Sequence, residues 1–455
     1  MRRGSSSGRA TATRPSSRWS SAISPPRGGA TATRPSCRAR SPFMCATTTW
    51  SAPTEPGCTT ATSTSSIIIR RSRAESSRSE RRGGRVEERG TGATDMRNWL
   101  NGRRDLARVV ALGLAMVAVV AVAAQETDPT DGKRAYRFEE LTDGVWFATG
   151  TGAMTTMSNS LVIVNDDHAM LVDTSVTPAA ARKLVAEIAD EITDLPIRYV
   201  FNTHFHFDHA HGNQIFDDDV EIVGHDYVRT QFLADSPNQR TNRSFTAGTR
   251  QQVEQLKERV AAATDASERS QLELNLRITE AHLNALAETR VKAPNVTYND
   301  TMTIVKGDRE IQLHYPGRGH TAGDTLVFLP EEKIVFTGDF FVGSPGANGL
   351  PYMGDGFVHE WPASLDRLKA LDFDTIVPGH GNPFQEREQI DHLQAYLRDL
   401  WNQASKLRAD GVSAEDAAGR IDLSAHAAHY GDRARSADPR AVVRIYEVLQ
   451  ILHPM

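Results

Sequence analysis

Three regimes of apolar and polar positions follow one another along the chain. Up to residue 95 no period is sustained: Ser, Thr, Arg, Gly and Pro dominate, and the run ATATRPS at 10–16 returns at 30–36. Such text cannot bury enough apolar surface to offset its ordering entropy, and it predicts disorder. Residues 109–124 (VVALGLAMVAVVAVAA) are then apolar without interruption. From Tyr136 onward, short β-branched runs alternate with helical spacing. Strands are expected at 144–149, 160–164, 169–173, 197–202, 301–305, 311–315, 325–329, 333–337 and 374–377. Helical periods are expected at 178–192, 362–371, 389–409, 414–421 and 439–452. Two runs of strands, each followed by helices, predict an α/β layered fold with sheet in the middle.

One stretch stands apart. Residues 249–290 read as a charged helical hairpin, with Val253, Leu256 and Val260 on one face and Leu272, Leu276, Leu283 and Leu286 on the next. Asp265 and Ser267 mark the break between the two helices. The hairpin is open to three uses: packing on the sheet, pairing with a second copy in a homo-oligomer, or covering a site as a lid.

The apolar run gains meaning from its flanks. Met96 opens a basic stretch (MRNWLNGRRDLAR), and small residues close the run before the polar 125–131. That order is the pattern of a secretory signal peptide over 96–124. The run is shorter than the roughly 18–20 apolar residues of a spanning helix, so cleavage is expected and no stable membrane anchor. The adjacent Arg103 and Arg104 also admit the twin-arginine route. A signal belongs at the start of a chain, so translation is expected to begin at Met96, with 1–95 a mis-assigned start. The mature protein is expected in the periplasm or outside the cell.

Charge and cysteine sharpen the division. Residues 1–95 carry 17 Arg and 6 acidic residues, a charge of +11, against 35 basic and 51 acidic residues in the remainder, a charge of −16. Cys37, Cys45 and Cys58 all lie in the first block and all 15 His in the second. The main body therefore has no disulfide framework and no Cys nucleophile. Its acidic balance argues against a nucleic-acid partner, because phosphate binding needs a basic face.

The histidines are not scattered. THFHFDHAHGN at 203–213 places His204 and His206 two apart at the end of a strand, on one side of the chain, with Asp208 and His209 in the turn beyond. Imidazoles and a carboxylate so close together suit a borderline cation such as Zn²⁺. GRGHTAGD at 317–324 puts His320 in a Gly-rich turn, TGD puts Asp339 at a strand end, and VPGHG at 377–381 puts His380 just past the last strand. Each metal-capable side chain falls at a strand end or in the loop beyond, where α/β sheets carry their sites. His211 and His225 lie nearby; His211 is expected to shape the pocket, and Asn348 in the Gly/Pro-rich loop 343–352 could donate to an oxyanion. The other histidines and Trp146, Trp361 and Trp401 are expected in ordinary surface or core roles.

In this order, LVDTS around Asp173, the HxHxDH segment, GHT, GD and PGHG resemble the metallo-β-lactamase superfamily over about residues 138–385. The resemblance implies an αββα sandwich, here with the hairpin insertion and a C-terminal helical extension over 386–455. It implies that His204, His206 and His320 hold one metal and Asp208, His209 and His380 a second, with Asp339 bridging. Asp173 would brace the histidine loop from behind. Two zinc ions per chain are implied, iron or manganese being the alternatives. The implied reaction is attack of a metal-bridged hydroxide on the carbonyl of a small ester, thioester, lactone or lactam, with Asp208 orienting the nucleophile or passing its proton on. Departures narrow this: Asp339 stands where one lactamase subclass has Cys, and Val342 where it has a Lys for the drug carboxylate. The all-His/Asp set is similar to hydroxyacylglutathione hydrolase, and the GRGHT–GDT text to periplasmic SoxH-like and quinoprotein-associated hydrolases. A mononuclear iron dioxygenase acting on persulfides is the alternative of a different class.

Overall fold

The computed structural model describes residues 130, 132–234, 239–342 and 349–452. The low-complexity segment, the expected signal peptide, Asn348 and His453 lie outside them.

The first sheet is built in chain order from β1 (Tyr136–Thr142), β2 (Val145–Gly150), β3 (Ser160–Val164), β4 (Ala169–Val172), β5 (Ile197–Asn202), β6 (Glu221–His225) and β7 (Val296–Tyr298). It runs antiparallel from β1 to β4 and parallel from β4 to β7. The second sheet has the order β12-β11-β10-β9-β8, from β8 (Thr301–Lys306), β9 (Arg309–His314), β10 (Leu326–Leu329), β11 (Ile334–Gly338) and β12 (Thr375–Pro378). Only its β11–β12 pair is parallel.

Strand periodicity explains how the sheets stack. Successive side chains alternate faces. Val145, Phe147, Leu161, Ile163, Met170 and Val172 meet Ile311, Leu313, Val327, Leu329 and Phe336 of the second sheet in one buried cluster. The residues between them (Ala148, Val162, Leu171) join a different cluster with Leu184 and Ile188 of α1 (Pro178–Glu191). Both faces are thus apolar, which is why these strands read as continuous runs. On the far side of the second sheet, Trp361 and Leu365 of α6 (Trp361–Lys369) pack with Leu393, Leu397 and Leu400 of α7 (Gln389–Ala409). Val442 and Ile445 of α10 (Pro439–Leu452) complete that layer. The architecture is an αββα sandwich.

Between β5 and β7 come α2 (Phe207–Ala210), α3 (Asp226–Leu233) and the hairpin of α4 (Arg240–Ala262) and α5 (Ala266–Glu288). The hairpin begins at Arg240 rather than at residue 249, because its first two turns carry polar residues without an apolar period. Asp265 caps α5 by accepting from the Glu268 N–H at 2.8 Å. α8 (Ala414–Ala418) stops short of the expected 421 at Gly419, and α9 (Ala427–Tyr430) precedes α10. Among the described residues no helix is long and apolar enough to cross a membrane.

Candidate metal centre

The ends of three strands and one turn converge at a single edge of the sandwich. β5 ends at Asn202, and the extended chain beyond it presents His204 and His206; α2 follows at once with Asp208 and His209. β11 delivers Asp339, β12 delivers His380, and the turn before β10 delivers His320. All seven residues expected from the sequence are brought together. The ligand-capable atoms of His204, His206, His320 and Asp339 lie within 4.8 Å of one another, as do those of Asp208, His209 and His380. Asp339 lies between the groups, with His209 Nε2 at 3.3 Å, His380 Nε2 at 3.4 Å and His320 Nε2 at 3.7 Å.

Several of these buried atoms make no well-formed hydrogen bond within the protein. His204 Nε2 makes none, and nor do His209 Nε2 and Asp339 Oδ1 despite their 3.3 Å approach. An unpaired buried polar atom costs about 1–3 kcal/mol, so several pointing inward fit a cation that would satisfy them together. The electrostatics agree. Burial, with His209, His206 and His320 nearby, holds the pKa of His204 well below its ordinary value, and His320 is pushed down to about 3 mainly by burial. Both imidazoles are therefore neutral, the form that ligates. Burial would also lower His380, but Asp339 and Asp208 outweigh it and raise the pKa to about 10. In the protein without a cation, a proton on His380 does part of the work of positive charge between these carboxylates. The donor set of imidazoles and carboxylates suits a divalent transition-metal cation.

Asp173 stands behind the ligands. Its Oδ1 accepts from the Thr203 N–H at 2.9 Å, and its Oδ2 accepts from Thr203 Oγ1 and His209 Nδ1, each at 2.7 Å. It is fully buried and its φ of 58° lies in the left-handed region, which Asp tolerates better than most residues. The loop before β3 ties two other parts together: Ser158 Oγ donates to Asp208 O at 2.5 Å, and Asn159 Nδ2 to Pro378 O at 3.0 Å and Gly381 O at 2.8 Å. Gly379 is required by proximity, since a Cβ there would lie 2.5 Å from Asp339 Oδ1 and 2.7 Å from His209 Cε1.

A cavity of about 670 Å³ opens over the centre. Its polar floor includes His206, Asp208, Asp339 and His380, while Met157, Phe207, Phe245, Val342 and Val443 supply apolar wall. Leu350, Pro351 and Tyr352 also line it, so the described end of the Gly/Pro-rich loop borders the cleft as expected. His211 does not line it: it is buried between Phe207 and Phe232, at ring distances of 6.0 and 6.4 Å, behind the wall. His225 caps α3 by accepting from the Tyr227 N–H, and it stacks on Tyr315 at 4.3 Å. Trp361 is core, donating its indole N–H to Phe340 O at 3.1 Å. Sequence reasoning missed Arg240, Thr241 and Arg440, which line the cavity, and Asp355, whose Oδ2 lies 3.1 Å from His206 Nε2; none of them carries a metal motif. The one signal was Gly354-Asp355-Gly356, an acidic residue in a tight turn.

The profile described as the metallo-beta-lactamase superfamily matches residues 154–380. A linear primary-alkylsulfatase from Pseudomonas sp. (strain ATCC 19151) is 25% identical over 274 residues, 57% of this chain and 49% of that protein. A metallo-beta-lactamase type 2 from Bacteroides fragilis is 23% identical over 251 residues, 55% of this chain and 78% of that protein. This chain belongs to the metallo-β-lactamase superfamily. The superfamily member spans about half the length of the alkylsulfatase it matches. Among solved structures it is similar to a metallo-beta-lactamase from Pontibacter korlensis, at 18% identity and a TM-score of 0.42, covering 58% of this chain and 99% of the other.

Proposed function

We propose that the protein is an exported binuclear zinc hydrolase that cleaves a small ester, thioester, lactone or lactam. One observation carries the reading: two adjoining groups of ligand-capable atoms meet at Asp339 on the floor of an open cavity. His204, His206 and His320 would hold one ion, Asp208, His209 and His380 the other, and Asp339 would serve both. When bound, such ions supply hydroxide at neutral pH and polarise the bond under attack. The remaining work belongs to the chain. Asp173 holds His209 by its Nδ1, so that Nε2 faces the carboxylates. Asp208 Oδ2, 3.2 Å from His380 Nε2 and facing the cavity, is placed to receive a proton and return it to the leaving group. Phe207, Phe245, Met157 and Val342 exclude water and receive the apolar part of the substrate. Export rests on the signal pattern of 96–124, and N-terminal sequencing of secreted protein tests it by finding a start near Gln125.

Metal content after purification without added metal tests the centre. About two zinc ions per chain are expected, followed by turnover of at least one member of a panel of lactams, thioesters, lactones and esters. The alkylsulfatase relative adds primary alkyl sulfates to that panel. About one iron with oxygen consumption would replace this reading with the dioxygenase. No retained metal, and none taken up from added zinc, would overturn it. Asp208→Asn should cost roughly 100-fold or more in kcat, as loss of a proton-transfer group does. Full turnover with both metals bound would remove Asp208 from that role.

A further inference from the structure

Asp355 lies in the loop between β11 and α6, outside every motif of the metal centre, yet it touches one of the histidines. Its Oδ2 is 3.1 Å from His206 Nε2 and accepts from Thr241 Oγ1 at 2.7 Å. Its Oδ1 accepts from Arg240 Nη2 at 3.2 Å. Arg240 also donates to Gly354 O, and through Nη1 to Glu447 Oε1 of α10 at 3.2 Å. Arg240 and Thr241 are the first two residues of α4, so the opening turn of the hairpin grips the carboxylate that touches His206. On its other side, His206 Nδ1 lies 2.9 Å from His320 Nε2, inside the first group of ligand-capable atoms.

The chemistry of imidazole gives this chain of contacts a consequence. A ring whose one nitrogen donates to a carboxylate has its tautomer and plane fixed, and its other nitrogen is left bare for a cation. With Nε2–H held by Asp355, Nδ1 is the bare atom of His206. The backbone of the Asp355 turn is held by Gly356 N–H to Met353 O and by Arg444 Nε to Gly356 O, each at 3.1 Å, but neither bond fixes the carboxylate itself. The hydroxyl of Thr241 supplies the missing constraint, and the Arg240 fork anchors the loop itself.

We infer that Thr241 is a positioning residue of the metal centre: it fixes Asp355, which fixes His206, making the first turn of the hairpin part of the His204, His206 and His320 group. The inference rests on the proposed reading that this group holds a metal ion. It gives the insertion a duty distinct from the three that its sequence leaves open.

The test is metal titration of the full mature protein against a chromophoric chelator, with cobalt(II) spectra of each site. His204→Gln first identifies which spectrum belongs to the first group. Thr241→Val keeps the shape and removes the hydroxyl. It should weaken that site about tenfold or more, the range seen when an outer partner of a metal ligand is lost, and change its cobalt spectrum. The other site and the melting temperature of the metal-free protein should stay as in the parent, and Thr241→Ser should restore both affinity and spectrum. Unchanged affinity and spectrum in Thr241→Val would overturn the inference. Equal weakening of both sites with a lower metal-free melting temperature would also overturn it, as a general packing effect. Should Thr241→Val fail to fold, Asp355→Asn probes the next link, and an unaltered first site there is equally fatal. A parent protein that binds no metal refutes the reading of the centre itself, a result separate from a silent Thr241→Val.

Discussion

Asp173 concentrates three roles in one side chain: it accepts two bonds from Thr203, orients His209, and holds a left-handed backbone position. Burial pushes its pKa up, and the contacts with His209 and Thr203 hold it down in part. Asp173→Asn tolerates the same backbone but presents an amide to three donors. Metal affinity should fall about 10- to 100-fold while the circular dichroism of the protein stays native; zinc competition checks it, and an unchanged affinity would show that His209 orients itself. The seven ligand candidates were legible in the sequence because each sits in a short stretch whose spacing is set by a strand end. Asp355 was not, because its role depends on a loop meeting a distant helix turn, a relation that no local spacing records.

At the scale of elements, the hairpin carries a pH sensitivity. His282 of α5 is buried against Phe245 of α4 at a ring distance of 5.8 Å, with Nε2 unpartnered, and burial pushes its pKa down to about 4. In the unfolded chain it titrates near its ordinary value of 6.5. The unfolded state therefore binds the proton more tightly. Stability is complete above about pH 6.5 and is lost progressively as pH falls toward 4, by up to about 3 kcal/mol. Thermal melts at pH 7.5 and pH 4.5 should show a smaller acid loss in His282→Leu than in the parent; equal losses would assign the acid sensitivity elsewhere. The central strands and α7 and α10 were readable, the last two to their bounds, because long apolar periods mark them. β1, β6 and β7 were not read: β1 carries charged and half-exposed positions rather than an apolar run, and β6 and β7 are defined by parallel pairing with β5 and with each other. The first turns of α4 escaped for the opposite reason: their side chains serve the cavity and Asp355, and leave no apolar stripe.

Across the whole molecule, the centre joins both sheets, since β5 belongs to one and β11 and β12 to the other. A cation held there fastens the two layers at one edge, so metal removal should be felt globally. A metal-binding free energy adds to folding stability by mass action, about 4 kcal/mol when free metal stands at 1,000 times Kd. Chelation should therefore lower the melting temperature by several degrees or more, and zinc should restore it; a melt indifferent to chelation would exclude a resident ion. Part of the cavity wall comes from outside the stretch that the family matches. His206, Asp208, Asp339 and His380 lie within the residues matched by the family, whereas Pro439, Arg440 and Val443 lie beyond them in α10. Most of the wall, Met157, Phe207, Phe245 and Val342 included, shares the matched stretch with the floor, and the last helix adds a smaller share of its own. On the proposed reading, substitutions at Arg440 or Val443 should change which substrate is preferred and leave every ligand candidate standing still, so that lineage and diet can drift apart.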